Sequence, residues 1–470
     1  MSKSKLRGKD LLEIGYKQGR LVGIAINVMA KYYHSDSREH KLHLLKEIMA
    51  EPESYIEHEI LGLIAKELIQ PAEASKNAII PLHETALPYE AFGLQHIELE
   101  AITQMNTAMQ LPVTVAGALM PDAHSGYGLP IGGVLAAENA VIPYGVGVDI
   151  GCRMCLTIYD IPTSYLDGHK QLLMKYLNEY TRFGMLDGEF EKPIDHEVLS
   201  SPVFKEIPFV GGLHQKAWRQ IGSSGGGNHF VEFGTVNISD ASNEFGLPIG
   251  NYLGILSHSG SRGFGATIAN HYTELAVMQC KLPTHAKHLA WLSLDSQSGQ
   301  EYWAAMNLAG DYASACHEQI HERLSKALGE KPLARIENHH NFAWKEHLAD
   351  GKEVIVHRKG ATPAAKGVLG IIPGSMASTG YIVRGKGSIL SLNSASHGAG
   401  RAMSRRKALQ SISESSLKKH LKEKGVTLIG GGLDESPMAY KDIEQVMRYQ
   451  QDLVDILGTF MPKIVRMAND

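Results

Sequence analysis

Asp149 and Cys152 stand three residues apart inside the glycine-rich run GVGVDIGC (145–152). A hard carboxylate oxygen beside a soft sulfur suits a borderline divalent ion such as Mn²⁺ or Zn²⁺. The flanking glycines let the backbone turn sharply enough to aim both side chains at one point. Isolated histidines recur downstream at 229, 258, 340 and 397. Imidazole, thiolate and carboxylate together are the donor set of a transition-metal centre.

Each histidine has a bland reading beside the chemical one. His229 ends the glycine-rich stretch of GSSGGGNHFVEF (222–233), where clustered backbone N–H groups can nest an anion and Asn228 can add an amide donor. Alone, it reads more simply as a loop histidine ahead of a strand. His258 sits in LSHSGSRGFG (256–265), between an apolar strand and a helix, where α/β proteins bind anions and metals; Arg262 there suits an oxyanion. His340, in ENHHNFAW (337–344), is one of a pair common on solvated surfaces. His397 lies among small residues in NSASHGAGRAMSRRK (393–407). The spacing predicts a helix entered at His397, with Arg401 and Arg405 one and two turns on along one face. That is either an imidazole open to attack phosphorus with arginines holding the phosphate, or a basic phosphate-binding helix in which His397 is an ordinary first residue.

Cys152 and Cys155 also form C-x-x-C, but CRMCLTIYD reads as a strand, on which positions three apart face opposite sides. No second pair completes a zinc site, so Cys155, Cys280 and Cys316 are expected to pack.

The elements that must position these groups read as a mixed α/β body. The chain has 470 residues, is 43% hydrophobic and carries a net charge of −4, which gives no global basic footprint for nucleic acid. Four cysteines argue against a disulfide framework and for a reducing compartment. The opening residues carry no cleavage signal, and no window has the ~18 apolar residues of a membrane span; a soluble cytoplasmic protein is expected. Strand-like runs occur at 113–120, 132–138, 251–257, 353–358, 368–372 and 381–384, and helices are expected at 164–181, 300–328, 402–424 and 440–457. Residues 1–70 read as a helical extension, in which Leu21, Ile24, Val28 and Tyr32 follow one helix face, Asp36 and Ser54 resemble N-caps, and Pro52 and Pro71 close helices. Pro71, Pro81 and Pro88 mark 71–95 as a linker, leaving 96–470 as one large catalytic domain.

Taken in order, PDAHSGYGLPIGG (121–133), GVGVDIGC (145–152), GGGNHFVE (225–232), SHSGSRGFG (257–265), HHNFA (339–343), VHRKGATPA (356–364), PGSM (373–376), HGAGR-x-MSR (397–405) and AYKDI (439–443) closely resemble the RtcB family of RNA-splicing ligases. The resemblance runs from about residue 110 to 445 and leaves the helical N-terminus outside. It implies a Mn²⁺- and GTP-dependent ligase joining an RNA 3′-phosphate or 2′,3′-cyclic phosphate to a 5′-hydroxyl, with an archease-like activator as a candidate partner. By the same resemblance Cys152 bridges two Mn²⁺ ions, Asp149 and His229 complete one site, and His258 and His340 the other; the same donors accept Zn²⁺ or Co²⁺. His397 becomes the guanylylated nucleophile. Asn228, Arg262, Arg401 and Arg405 bind phosphates, while Glu232 and Ser375 contact guanine and Tyr440 stacks on it. A carboxylate can accept both donors of guanine's N1–H and 2-amino edge, which adenine lacks.

Three positions depart from the family pattern: Arg153 stands where glycine is usual, Gly380 where a second guanine-contacting serine is common, and Met467 where a Lys-Gly pair usually ends the chain. A cation at 153 is expected to lie beside the metals. A basic RNA groove is expected past Arg401, Arg405 and Arg406 and the 357–359 turn, with Lys418 and Lys419 more simply solvated surface. Two other readings compete: a metal-dependent phosphoesterase opening cyclic phosphates, and a non-catalytic RNA- or GTP-binding module.

Overall fold

In the computed structural model, residues 6–17, 19–69, 79–184, 187–188, 190 and 194–469 are described. The body is built on two large sheets. In the larger, eight-stranded sheet, Leu369–Ile372, Gly380–Gly385, Val454–Met467, Phe230–Ile238, Gly250–Ser259, Arg153–Tyr159 and Ala334–His339 are successive neighbours, with Thr427–Ile429 added parallel to Val454–Met467. The five-stranded sheet runs Glu90–Ala91, Thr114–Tyr127, Leu129–Ala137, Glu353–Lys359, Asn341–His347.

Arg153–Tyr159 shows why the larger sheet is an interior wall. All seven residues are buried. Met154, Leu156 and Ile158 face an apolar cluster with Val236, Leu256, Ile336 and Phe460, while the alternate positions face the helix Gln297–Leu328. That helix begins where the Ser296 hydroxyl accepts from the Gly299 N–H and stops at Gly329, in the left-handed conformation. It packs on Arg262–Gln279, with Tyr302 and Tyr272 centroids 5.3 Å apart.

The N-terminal helices Gly8–Glu13, Arg20–Tyr32, Arg38–Ala50 and Gly62–Ile69 enclose their own core of Leu11, Val22, Ala25, Val28, Met29, Leu45, Ile48 and Ile64. The buried stripe of the second helix is thus shifted from the expected one: Leu21 and Ile24 are half-buried and Tyr32 is exposed. The third helix is capped by Ser37, whose hydroxyl accepts from the His40 N–H, not by Asp36. Ser54 lies inside the short 3₁₀ turn Pro52–Tyr55, and Pro71 falls outside the described residues. Asn27 donates to Asp295 at 3.1 Å, tying this layer to the body. In the stretch 79–95, Ile80, Leu82, Leu87 and Tyr89 pack on the main core.

Two other expected helices differ. The 402–424 stretch is two helices, Arg405–Ser411 and Glu414–Lys424, because the Ser413 hydroxyl caps a fresh start at the Ser416 N–H. Of 440–457, only Ile443–Arg448 is helical; the remainder enters the strand Val454–Met467, whose alternating apolar residues fit the sheet. No helix among the described residues is long and apolar enough to cross a membrane.

Candidate metal centre

Four neighbouring strands of the larger sheet bring the scattered donors together. Phe230–Ile238, Gly250–Ser259, Arg153–Tyr159 and Ala334–His339 lie side by side. Their registers pair Phe230 with His258 and Arg153 with both Ser259 and His339. His229 and Cys152 immediately precede their strands, His258 is next to last in its strand, and His340 immediately follows its strand. One end of the sheet therefore carries all four.

Two donor sets share the sulfur. Cys152, His258 and His340 form one and Asp149, Cys152 and His229 the other, with donor atoms within 4.8 Å of one another in each set. Cys152 Sγ lies 3.1 Å from His258 Nε2 and 3.4 Å from His229 Nε2. His258 Nε2 lies 3.2 Å from His340 Nε2, and His229 Nε2 lies 2.9 Å from Asp149 Oδ2. The Asn228 carbonyl 3.0 Å from His258 Nδ1 requires that nitrogen to carry the proton, so the Nε2 lone pair is directed into the cluster. Burial, reinforced by His229, pushes His258 down to about 3, and burial also holds His340 well below the imidazole range; both are neutral donors. Burial works to raise the Asp149 carboxyl, but His229, Cys152 and His258 together outweigh it and leave the group below its ordinary value. Burial and Asp149 push the Cys152 thiol well up. Lone pairs crowded on one another, beside a thiol that needs a positive charge to ionise, fit divalent cations.

His397 adjoins this cluster, its ring centroid 5.0 Å from that of His340. It follows the short strand Ser394–Ser396, which pairs with Ala361–Pro363. Gly360, with φ +63°, makes room for it: a Cβ there would lie 2.3 Å from Ile131 and 3.2 Å from His397 Cε1. The expected helix entrance is not found, since 397–404 is irregular and the helix begins at Arg405. Arg401 and Arg405 do not share a helix face. They converge on one acidic pair: Arg401 reaches the Asp434 carbonyl at 2.7 Å and Glu435 at 3.4 Å, and Arg405 pairs with Asp434 and Glu435.

The sequence gives no role to Asp122, although it lies within the motif 121–133. Its side chain is fully buried, and Oδ2 accepts from His397 Nδ1 at 2.6 Å and the His397 backbone N–H at 3.2 Å. A register shift between Leu119 and His124 accompanies its placement. Burial alone would raise this carboxyl; His397, with His124 and Lys441, brings it below its ordinary value. A carboxylate in an apolar strand two residues before a histidine was the available signal.

A cavity of about 340 Å³ opens over the cluster. Asn228, His397, Ser375, Arg401, Arg405 and Tyr440 line it, as does Met467. Ser375 Oγ is 2.7 Å from Ser378 Oγ, and Tyr440 donates to Glu435 while Arg401 sits 5.3 Å from its ring centroid. Glu232 is buried in the sheet off the cavity lining, Oε2 without a hydrogen-bond partner among the described residues, and burial pushes its pKa well up. Arg262, at φ +58°, donates to Ser223 Oγ and the Gly184 carbonyl and does not line the cavity. Arg153 corrects an expectation. Its guanidinium turns away from the cluster to Glu337 and the Gly310 carbonyl, because on this strand it faces opposite to Met154.

Residues 104–207 and 209–467 match the family described as tRNA-splicing ligase RtcB. The chain belongs to the RtcB family. It is 33% identical over 412 residues to RNA-splicing ligase RtcB1 of Escherichia coli (strain ATCC 25922), covering 82% of this chain and 96% of that protein. It is 32% identical to tRNA-splicing ligase RtcB of Nanoarchaeum equitans, covering 77% and 90% of the two chains. To RNA-splicing ligase RtcB of Mycobacterium bovis it is 30% identical, covering 76% and 98%. The family match begins beyond the N-terminal helices, whereas every proposed metal donor falls within it.

Proposed function

We propose that this RtcB-family chain is an RNA ligase that uses two Mn²⁺ ions and GTP to join an RNA 3′-phosphate, or a 2′,3′-cyclic phosphate after its opening, to a 5′-hydroxyl. The observation that carries the reading is the sulfur of Cys152, common to two donor sets with the His397 imidazole alongside. Asp149, Cys152 and His229 would hold one ion, and Cys152, His258 and His340 the other. Bound there, the ions supply Lewis-acid stabilisation of phosphate charge.

The protein's own groups then divide the work. Asp122 accepts a hydrogen bond from the Nδ1–H of His397, which leaves Nε2 as the free lone pair. Nε2 forms a bond to the α-phosphorus of GTP as the bond to pyrophosphate breaks. An oxygen of the RNA 3′-phosphate next attacks that phosphorus, and the P–N bond to His397 breaks. The 5′-hydroxyl finally attacks the activated 3′-phosphate and expels GMP. Arg401 and Arg405 exchange their bonds to Asp434 and Glu435 for phosphate oxygens. Asn228 donates its amide to a phosphate, and Arg262 serves phosphate after leaving Ser223. Ser375 and Tyr440, on the cavity wall, receive guanine; Glu232, buried behind that wall, offers its orphaned Oε2 once the bound base opens the wall to it.

Incubation with Mn²⁺ and GTP should raise the mass of the intact protein by one GMP, acid-labile and absent in His397→Ala. An unshifted mass with metal bound contradicts the reading. Ligation assays with and without an archease-like activator test the partner. Cyclic-phosphate opening that survives His397→Ala, with no ligation in the parent protein, supports the phosphoesterase reading instead.

A further inference from the structure

Beside the metal cavity stands a group of rings that the proposed chemistry leaves unused. Tyr127 is 68% exposed at the end of its strand, a large aromatic surface held in water. Behind it, Tyr144 and His288 lie with centroids 6.3 and 6.1 Å from its own, and 5.1 Å from each other. The turn that displays Tyr127 is fixed on both sides. Gln104 bonds both the N–H and the carbonyl of Gly126, at 3.0 and 2.8 Å. Gly128, at φ +72°, runs so near the His288 carbonyl that a Cβ would lie 2.8 Å from it. The backbone on either side of Tyr127 is therefore held in place.

The rings connect to the cavity through Lys359. Its Nζ donates to the Tyr127 carbonyl at 2.6 Å and sits 4.9 Å from the Tyr144 centroid, while its side chain lines the cavity with Gly147, Val148 and His124. His288 Nδ1 is buried without a hydrogen-bond partner among the described residues, an unused polar atom at the edge of the platform. Burial pushes Lys359 down to about 7, so an approaching phosphate would restore its charge. Exposed aromatic faces beside a groove with phosphate-binding groups are how proteins hold single-stranded nucleic acid, since every base has a π-face. Sequence-tolerant stacking suits an enzyme that must accept broken RNA ends, whose terminal bases are unpaired.

We propose that Tyr127, backed by Tyr144 and His288, is the stacking platform for the terminal nucleobase of the RNA end delivered to His397, with Lys359 beside the adjoining phosphate. The proposal rests on the RNA ligase reading and names a subsite for its substrate.

The test uses the full chain with Mn²⁺ and two short oligoribonucleotides carrying terminal 2-aminopurine, one ending in a 3′-phosphate and one beginning with a 5′-hydroxyl. Stacking quenches the fluorophore. Quenching is expected with at least one oligonucleotide, which identifies the end held; it should persist in Tyr127→Phe and vanish in Tyr127→Ala and Tyr127→Leu. The dissociation constant should rise roughly 5- to 100-fold in those two variants. Phenylalanine keeps the π-face and leucine only the bulk at this exposed position, so Tyr127→Phe and Tyr127→Leu together separate a lost π-face from a folding defect. If the parent protein forms its GMP adduct and binds RNA but shows no quenching, or if Tyr127→Leu binds as tightly, the platform is overturned while the ligase reading stands. Unchanged RNA affinity with an altered sedimentation coefficient would make this face a protein contact and also overturn it. A parent protein that forms no adduct and binds no RNA removes both.

Discussion

Two clusters of one cysteine and paired histidines lie along the same strand and behave oppositely. Cys155, His317 and His321 are as buried as Cys152, His258 and His340, and their donor atoms also gather within 4.8 Å. Yet the Cys155 cluster is saturated by protein. His317 Nδ1 and His321 Nε2 share the Ser257 hydroxyl at 2.6 and 2.7 Å, His321 Nδ1 meets Thr157 Oγ1 at 2.7 Å, and His317 Nε2 reaches the Ser259 carbonyl at 3.1 Å. Arg335 donates to the Cys155 sulfur at 3.1 Å, so that sulfur already has a cationic partner. At the Cys152 cluster the donors face one another. Burial and residue type are the same; the difference is whether the lone pairs already have partners.

The largest effect expected from that difference is in metal content. Cys152→Ala should lower Mn²⁺ affinity at least about 100-fold, beyond the usual loss of an outer-shell partner, and abolish the GMP adduct. Cys155→Ala should leave metal content unchanged; elemental analysis of both proteins decides the comparison. Next is Asp122→Asn, which keeps shape but removes the acceptor that sets the His397 tautomer. Guanylylation should slow by about 10²- to 10⁴-fold, as for loss of an orienting carboxylate in acid–base catalysis, with metal content retained; rapid-quench kinetics measure it.

In the saturated cluster the expected effect is on stability. His321→Ala strips its partner from Thr157, while Ser257 keeps His317, and should cost about 1–3 kcal/mol for the buried group left unsatisfied, read from urea unfolding. The smallest effect sharpens the comparison through pH. His258 and His317 are held down to about 3 and about 4 by burial, whereas an unfolded histidine titrates near 6.5. Between those values the unfolded chain binds more protons, so stability rises with pH and is lost as pH falls from about 6.5 toward 4. Mn²⁺ should shift the unfolding midpoint in that window for the parent protein and for Cys155→Ala, and leave Cys152→Ala unmoved.

The sequence carried much of this. Strands were legible from short apolar runs between glycines, and the helix Gln297–Leu328 from its long periodic pattern. Cys152 and the histidines were conspicuous through type and glycine context. Their convergence depends on strand order, which no local pattern encodes. Asp122 escaped because its role requires a partner 275 residues away. The Arg401–Arg405 helix failed because i,i+4 spacing was read through a glycine-rich segment that turns toward Asp434 and Glu435. Arg153 turns to Glu337, on a strand much later in the chain that no pattern around 153 encodes.

Anomalous diffraction at the manganese edge, from crystals soaked in Mn²⁺, tests the central claim most directly. Two peaks flanking Cys152 Sγ, one beside Asp149 and His229 and one beside His258 and His340, with none near Cys155, are the expected result. A peak at Cys155, or density at Cys152 that never resolves into two ions at saturating Mn²⁺, would contradict it.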